Sequence, residues 1–200
     1  MIKIVFFDFG NVLVTYEKVF TKICDDWSID IDDFLVFYDE FDGAMTEGQL
    51  TTRQFWSKCI DKFSLKGAKN YPFEENWVAD YEIIKPVNKL IYQIAHHTKI
   101  GIISNIGSGI WEAAWKNKWV PQIDYAAVIL SYKEKVKKPD KEIYKRAVQG
   151  LPYQGNEILF IDDKKENLVE PKKMGWQVIL FDPKEAESGA AQIKRILGES

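Results

Sequence analysis

Three short polar clusters in this chain each follow an apolar run. FFDFGN carries Asp8, Gly10 and Asn11; IISN ends in Ser104 and Asn105; EILFIDD ends in Asp162 and Asp163. If the three runs are neighbouring strands of one parallel sheet, their ends meet at one rim. Three carboxylates then share a small volume, which is costly unless a cation neutralises them. Hard oxygen ligands suit magnesium. Ser104 and Asn105 add hydrogen-bond donors, and Lys138 adds a positive charge. Carboxylate, divalent metal, hydroxyl and ammonium together describe a phosphoryl-binding site.

Each cluster alone has a plainer explanation. Gly10-Asn11 between apolar runs is a hairpin signal. Ser104-Asn105 suits a loop start or a helix cap. Lys138 could be a solvated lysine before a helix with Pro139 at its first position, and Lys133, Lys135 and Lys137 compete with it. Asp162-Asp163 could cap a helix, favoured by its dipole. Their joint occurrence, in order and at strand ends, favours a single site.

The elements that must position these residues are legible as well. IKIVFF, KIGIISN, EILFIDD and QVILF read as buried strands, with AAVILS a weaker fifth. Between them lie amphipathic helical patterns. Val87, Leu90, Ile91 and Ile94 share one face, as do Ile143, Tyr144, Ala147, Val148 and Leu151. Strands alternating with helices predict an α/β fold: a Rossmann-like parallel sheet flanked by helices, with its ligand site outside the carboxyl ends of the strands.

Thr15 to Pro86 is different. Tyr16, Val19, Phe20, Ile23, Cys24 and Trp27 follow helical spacing, as do Phe34, Phe37, Tyr38 and Phe41, and Phe55, Trp56, Cys59, Ile60 and Phe63. Thr51 or Thr52 caps the last of these helices. No strand is expected there. The chain thus divides into a core of 1–14 and 87–200 and a helical lobe of 15–86 whose aromatic stripes form its own core. Asp42-Gly43 and Glu47-Gly48 fall in loop-like stretches of that lobe, expected either to face the site or to form surface turns. Trp111, Trp115 and Trp119 form an i, i+4, i+8 stripe expected first to be core, with a subunit contact or a pocket wall as the alternatives. His96-His97 close a helix and read as structural or solvated.

Composition sets outer bounds. The 200 residues, 46% hydrophobic and 28% charged, suit one globular domain with an inserted lobe. A formal charge of -3 gives no basic excess for a nucleic-acid partner. No stretch is long and apolar enough to predict a membrane span, and the first apolar run lacks the features of a signal peptide. Two cysteines, Cys24 and Cys59, make no disulfide framework, so a reducing, cytoplasmic setting is expected.

With these residues in view, the chain resembles the haloacid dehalogenase (HAD) superfamily nearly end to end. FFDFGNVL is similar to that family's first motif, with Asp8 at the nucleophile. IISN matches the second at Ser104, KKPDKEIY the third at Lys138, and FIDDKKENL the fourth at Asp162, Asp163 and Asn167. The 15–86 lobe resembles the family's C1 cap. D-x-G-N looks like a branch containing bacterial sugar-phosphate phosphatases, and NLVEPKKMG is similar to the phosphatase domain of soluble epoxide hydrolases.

The resemblance implies a magnesium-dependent phosphomonoesterase that forms an aspartyl-phosphate on Asp8 from a small phosphorylated metabolite such as a sugar phosphate. It implies Mg²⁺ held by Asp8, the Gly10 backbone carbonyl and Asp163, with Asp162 and Asn167 in support. Phosphate oxygens would be held by Ser104, Asn105 and Lys138. Most of these phosphatases carry a second Asp two residues after the nucleophile, which protonates the leaving group and then activates water. Here that position is Gly10. Its absence implies slow catalysis, a restriction to good leaving groups, help from a cap residue or water filling the space, and it admits a catalytically weak phospholigand-binding or regulatory protein as the alternative. A phosphorelay receiver is disfavoured because its acidic pair comes early in the chain. Dehalogenase chemistry ranks below phosphatase because those relatives generally need no metal.

Overall fold

A computed structural model describes residues 1–199. In chain order the strands are β1 (Ile4–Phe7), β2 (Val14–Thr15), β3 (Glu82–Ile83), β4 (Lys99–Ser104), β5 (Ala127–Leu130), β6 (Ile158–Asp162) and β7 (Gln177–Leu180). The helices are α1 (Thr21–Trp27), α2 (Ile31–Thr46), α3 (Thr52–Phe63), α4 (Phe73–Trp77), α5 (Lys85–Ile94), α6 (Ile110–Lys116), α7 (Ser131–Glu134), α8 (Lys141–Val148), α9 (Val169–Lys173) and α10 (Ala186–Leu197). No helix among the described residues is long and apolar enough to cross a membrane.

All five apolar runs are strands of one sheet, ordered β5-β4-β1-β6-β7 and parallel throughout. β1 lies at its centre, and its four residues are buried because both faces are covered. Side chains alternate between the faces. Val5, Phe7, Ile102 and Ile161 join one apolar cluster with Val87, Leu90, Ile91 and Ile94 of α5. Ile4, Phe6, Ile103 and Phe160 join another with Ile143, Tyr144 and Ala147 of α8. The chain winds outward through β4 and β5, then returns to β6 on the other side of β1. β1 and β6 therefore flank the point where the winding reverses, the place where open α/β sheets bind ligands. Phe7 pairs with Ile161, so the next residues, Asp8 and Asp162, emerge side by side.

Four helices, α1 to α4, form the inserted lobe. Asp30 starts α2 by accepting bonds from the Asp32 and Asp33 amides, at 2.9 and 3.2 Å. Thr51 and Gln54 form a reciprocal capping box at α3. Phe34, Phe55, Trp56 and Phe73 are fully buried among other aromatic rings, and the apolar cluster runs unbroken from this lobe into the sheet.

Several local expectations are corrected. A strand does occur in the lobe: β3 pairs antiparallel with β2, Val14 against Ile83, forming a neck where the chain leaves and re-enters the core. Two residues per strand are too few to give a sequence pattern. The helix expected from Tyr16 starts only at Thr21, because Phe20 has φ 71° and a left-handed residue cannot continue a right-handed helix. Pro139 precedes α8 rather than opening it; Asp140 is the cap, accepting from the Glu142 amide at 2.8 Å. Asp42 and Gly43 lie inside α2, not in a loop. Of the tryptophan stripe only Trp111 is buried; Trp115 is 38% exposed, and Trp119 lies beyond the end of α6.

Candidate active site

Asp8 is the first residue past β1. Its amide donates to the Ile161 carbonyl at 2.9 Å, which continues the ladder and aims the side chain over the sheet edge. One carboxylate oxygen, Oδ1, accepts from the Phe9 amide at 2.7 Å and lies 2.8 Å from the Lys138 ammonium. Lys138 also bonds Asp162 at 2.6 Å. Its backbone is fixed by Asn105, whose side chain accepts from the Lys138 amide at 2.8 Å and donates to the Lys138 carbonyl at 2.9 Å. This two-way clamp selects Lys138 from its run of lysines: it is 2% exposed, whereas Lys137 is partly exposed at the cavity and pairs with Glu47 at 3.0 Å.

Asp162, on the end of β6, is fully buried. Its other oxygen accepts from the Asn167 side chain and the Lys164 amide, both at 2.9 Å. Asn167 is held in turn by Tyr144, whose hydroxyl donates to the Asn167 carbonyl at 2.7 Å. Asp163 accepts from the Asn11 side chain at 2.9 Å. Ser104, at the end of β4, lines the same cavity. The structure thus brings together Asp8, Gly10, Ser104, Asn105, Lys138, Asp163 and Asn167 around one cavity of about 400 Å³, with Asp162 beneath it.

Electrostatics follow from burial. Desolvation pushes the Asp8 carboxyl up to about 7, with Lys138 opposing and Asp162 adding to the rise. Burial disfavours the Lys138 ammonium, but Asp8 and Asp162 outweigh it and hold the group charged. Asp8, Asp162 and Asp163 each offer an oxygen within 4.8 Å of the others. Lys138 serves Asp8 and Asp162; among the described residues no cationic side chain pairs with Asp163. Three carboxylates against one fixed ammonium, all hard oxygen donors, fit a divalent cation such as magnesium.

Some contributors had roles that the sequence did not assign. Asn11 stood in the first motif, but its role depends on a partner 152 residues away. Ser131 accepts from the Ile106 amide at 3.0 Å and shapes the loop after Ser104. From the lobe, Tyr16 and Tyr38 face the cavity together with Asp42, which lies in a stretch the sequence offered as facing the site; Tyr38 donates to Asp42 at 2.5 Å. Burial and the nearby carboxylates of Asp8, Asp163 and Asp42 push the Tyr16 phenol well above its usual range, so its proton stays on. The space beside Gly10 holds the Tyr16 ring rather than open solvent: a Cβ at residue 10 would lie 2.4 Å from Tyr16 Cε1.

A reversing parallel sheet, an inserted helical lobe and an acidic cluster with a buried lysine define a capped α/β hydrolase. The chain belongs to the haloacid dehalogenase-like hydrolase family, whose model matches residues 2–175. Solved structures share the fold. A HAD-like family hydrolase from Porphyromonas gingivalis superposes with TM-score 0.78 at 18% identity, covering 100% of each chain. The HAD family enzyme bt-2542 from Bacteroides thetaiotaomicron, in complex with magnesium and inorganic phosphate, gives 0.73 at 19% identity, covering 90% of this chain and 93% of that one. An L-2-haloacid dehalogenase from Xanthobacter autotrophicus with chloropropionic acid covalently bound gives 0.65 at 18%, covering 89% and 76%. A comparison with curated protein sequences gave no match.

Proposed function

We propose that this protein is a magnesium-dependent phosphomonoesterase acting on a small phosphorylated metabolite, with sugar phosphates the first class to try. The observation that carries this reading is the meeting of Asp8, Asp162 and Asp163 within 4.8 Å beside buried Lys138. The magnesium and phosphate complex of the structurally similar bt-2542 supports it.

In this reading Asp8 attacks phosphorus in line, its carboxylate oxygen forming the new bond as the ester oxygen departs, and an aspartyl-phosphate results. Water then releases phosphate and restores Asp8. Lys138 offsets charge on the nucleophile and on the phosphoryl oxygens. Ser104 and the Asn105 backbone hold the remaining oxygens, and the Asn105 side chain positions Lys138. Asp8, the Gly10 carbonyl and Asp163 would hold the metal, with Asp162 and Asn167 fixing the groups around it. Magnesium would supply charge neutralisation, the main requirement of phosphoryl transfer. The 15–86 lobe serves as the cap that covers the site. Two unpaired cysteines suit a reducing, cytoplasmic setting.

The test is phosphate release from a panel of small phosphomonoesters with and without magnesium. Release should require the metal, and Asp8→Asn should lower it by at least a thousandfold with the fold intact. Full activity in that variant removes Asp8 as nucleophile. A second reading, a weak phospholigand-binding or regulatory protein, is favoured by Gly10, and would be selected by phosphate binding without turnover of any ester. Haloacid turnover that survives a chelator would instead select dehalogenase chemistry.

A further inference from the structure

Gly10 removes the side chain that would protonate a leaving group, yet the place is occupied. An ideal Cβ at residue 10 would stand 2.4 Å from Tyr16 Cε1 and 3.2 Å from both Tyr16 Cζ and the Tyr16 hydroxyl oxygen. The Tyr16 ring therefore occupies the space in which a side chain at residue 10 would begin. Tyr16 is reached by the five-residue link from Asn11 through Thr15 that ends in the β2–β3 neck, and its ring packs on Tyr81 at a centroid distance of 6.4 Å. Tyr16 lines the cavity, and its hydroxyl makes no hydrogen bond to any other described residue. An unengaged O–H on a residue that shares the cavity with Asp8 is a donor waiting for an acceptor.

We infer that Tyr16 replaces the missing acid by donating a hydrogen bond to the leaving-group oxygen of a phosphomonoester held against Asp8. This rests on the phosphatase reading above. As the bond from Asp8 to phosphorus forms, the phosphorus–oxygen bond to the leaving group breaks and its electron pair stays on that oxygen. Tyr16 stabilises the charge that develops there without giving up its proton, and the released anion takes a proton from solvent. In the second step water attacks phosphorus, the Asp8 carboxylate departs, and the water's protons leave on the phosphate product. Such a site serves phosphates whose leaving group is stable as an anion, such as aryl and anomeric phosphate esters and acyl phosphates, better than simple alkyl phosphates. A donor of this kind stabilises developing charge only in the transition state, which is where it acts on rate.

The experiment is kcat/KM with magnesium for a series of aryl phosphates of graded leaving-group acidity, together with an alkyl phosphate. Wild type is compared with Tyr16→Phe, which keeps the ring and its packing. The expected result is a steeper dependence on leaving-group acidity in Tyr16→Phe: little change for the most acidic phenol and a loss of about tenfold to a hundredfold for the least acidic. Parallel lines, or no change, overturn the proposal and leave the phosphatase reading standing. Absence of magnesium-dependent release from every ester by wild type overturns both.

Discussion

At the scale of single residues, the site is built from side chains that each satisfy two demands. Lys138 neutralises Asp8 and Asp162 at once, and Asn105 spends both ends of its amide on the Lys138 backbone. Burying Asp162 completely is tolerable because both of its oxygens are hydrogen-bonded or paired, and Asp8 is buried with one oxygen held by Lys138 and the Phe9 amide. Gly10 shows how a position that looks empty in sequence is filled in space. Restoring the absent acid by Gly10→Asp alone would drive its Cβ into the Tyr16 ring. That variant should lose about 1–3 kcal/mol of stability, as overpacked sites do, and gain no turnover. Pairing it with Tyr16→Ala opens the volume. The double variant should exceed Tyr16→Ala on an alkyl phosphate by about a hundredfold, the usual contribution of a general acid. Urea unfolding and phosphate release check the two parts.

At the scale of elements, the lobe is tied to the core by the shared apolar cluster, and two further joints bear on the site. One is the short neck of β2 and β3. The other is polar: Thr52 at the start of α3 has its hydroxyl 2.6 Å from the Ser108 carbonyl, while Lys135 donates to the Gly48 carbonyl at 2.6 Å beside the Lys137–Glu47 pair. The segment carrying Lys138 thus touches the lobe directly. Within the lobe, Trp56 is 1% exposed, stacks on Phe73 with ring centroids 4.9 Å apart and donates its indole N–H to the Ala68 carbonyl at 2.9 Å. Trp56→Ala should cost about 3–5 kcal/mol, the range for deleting a large buried aromatic. Denaturant midpoints measure it. The aromatic spacing of α2 and α3 was legible in the sequence because amphipathic helices repeat over several turns. The neck and the late start of α1 were not, because each turns on two residues or on one dihedral angle.

At the scale of the molecule, the cavity lies between the sheet edge and the lobe, and its charge balance links ligand binding to stability. A cation bound at the acidic cluster stabilises the folded state by mass action, about 2.7 kcal/mol at a hundred times its dissociation constant. Magnesium should therefore raise Tm by on the order of 5 °C. Metal ligands bind deprotonated. Because burial raises Asp8 from 3.8 to about 7, it is mostly protonated at pH 5.5 and mostly ionised at pH 8. The magnesium-induced rise should be larger at pH 8, and Asp163→Asn should reduce it at both. Thermal scans with magnesium or chelator at the two pH values provide the measurement.

The linear order of residues was enough to determine the five sheet strands, the helical lobe and the acidic rim, since apolar periodicity and polar strand ends are local features written in consecutive residues. Asp8, Ser104 and Asp162-Asp163 were identifiable on that basis, and Lys138 only through its resemblance to a family motif. Folding alone decided which lysine of a run of four was buried, which partner Asn11 would find, and that Tyr16 would stand in the space beside Gly10. Those outcomes depend on close approach between segments far apart in the chain, and a packing contact has no period along the sequence that produces it.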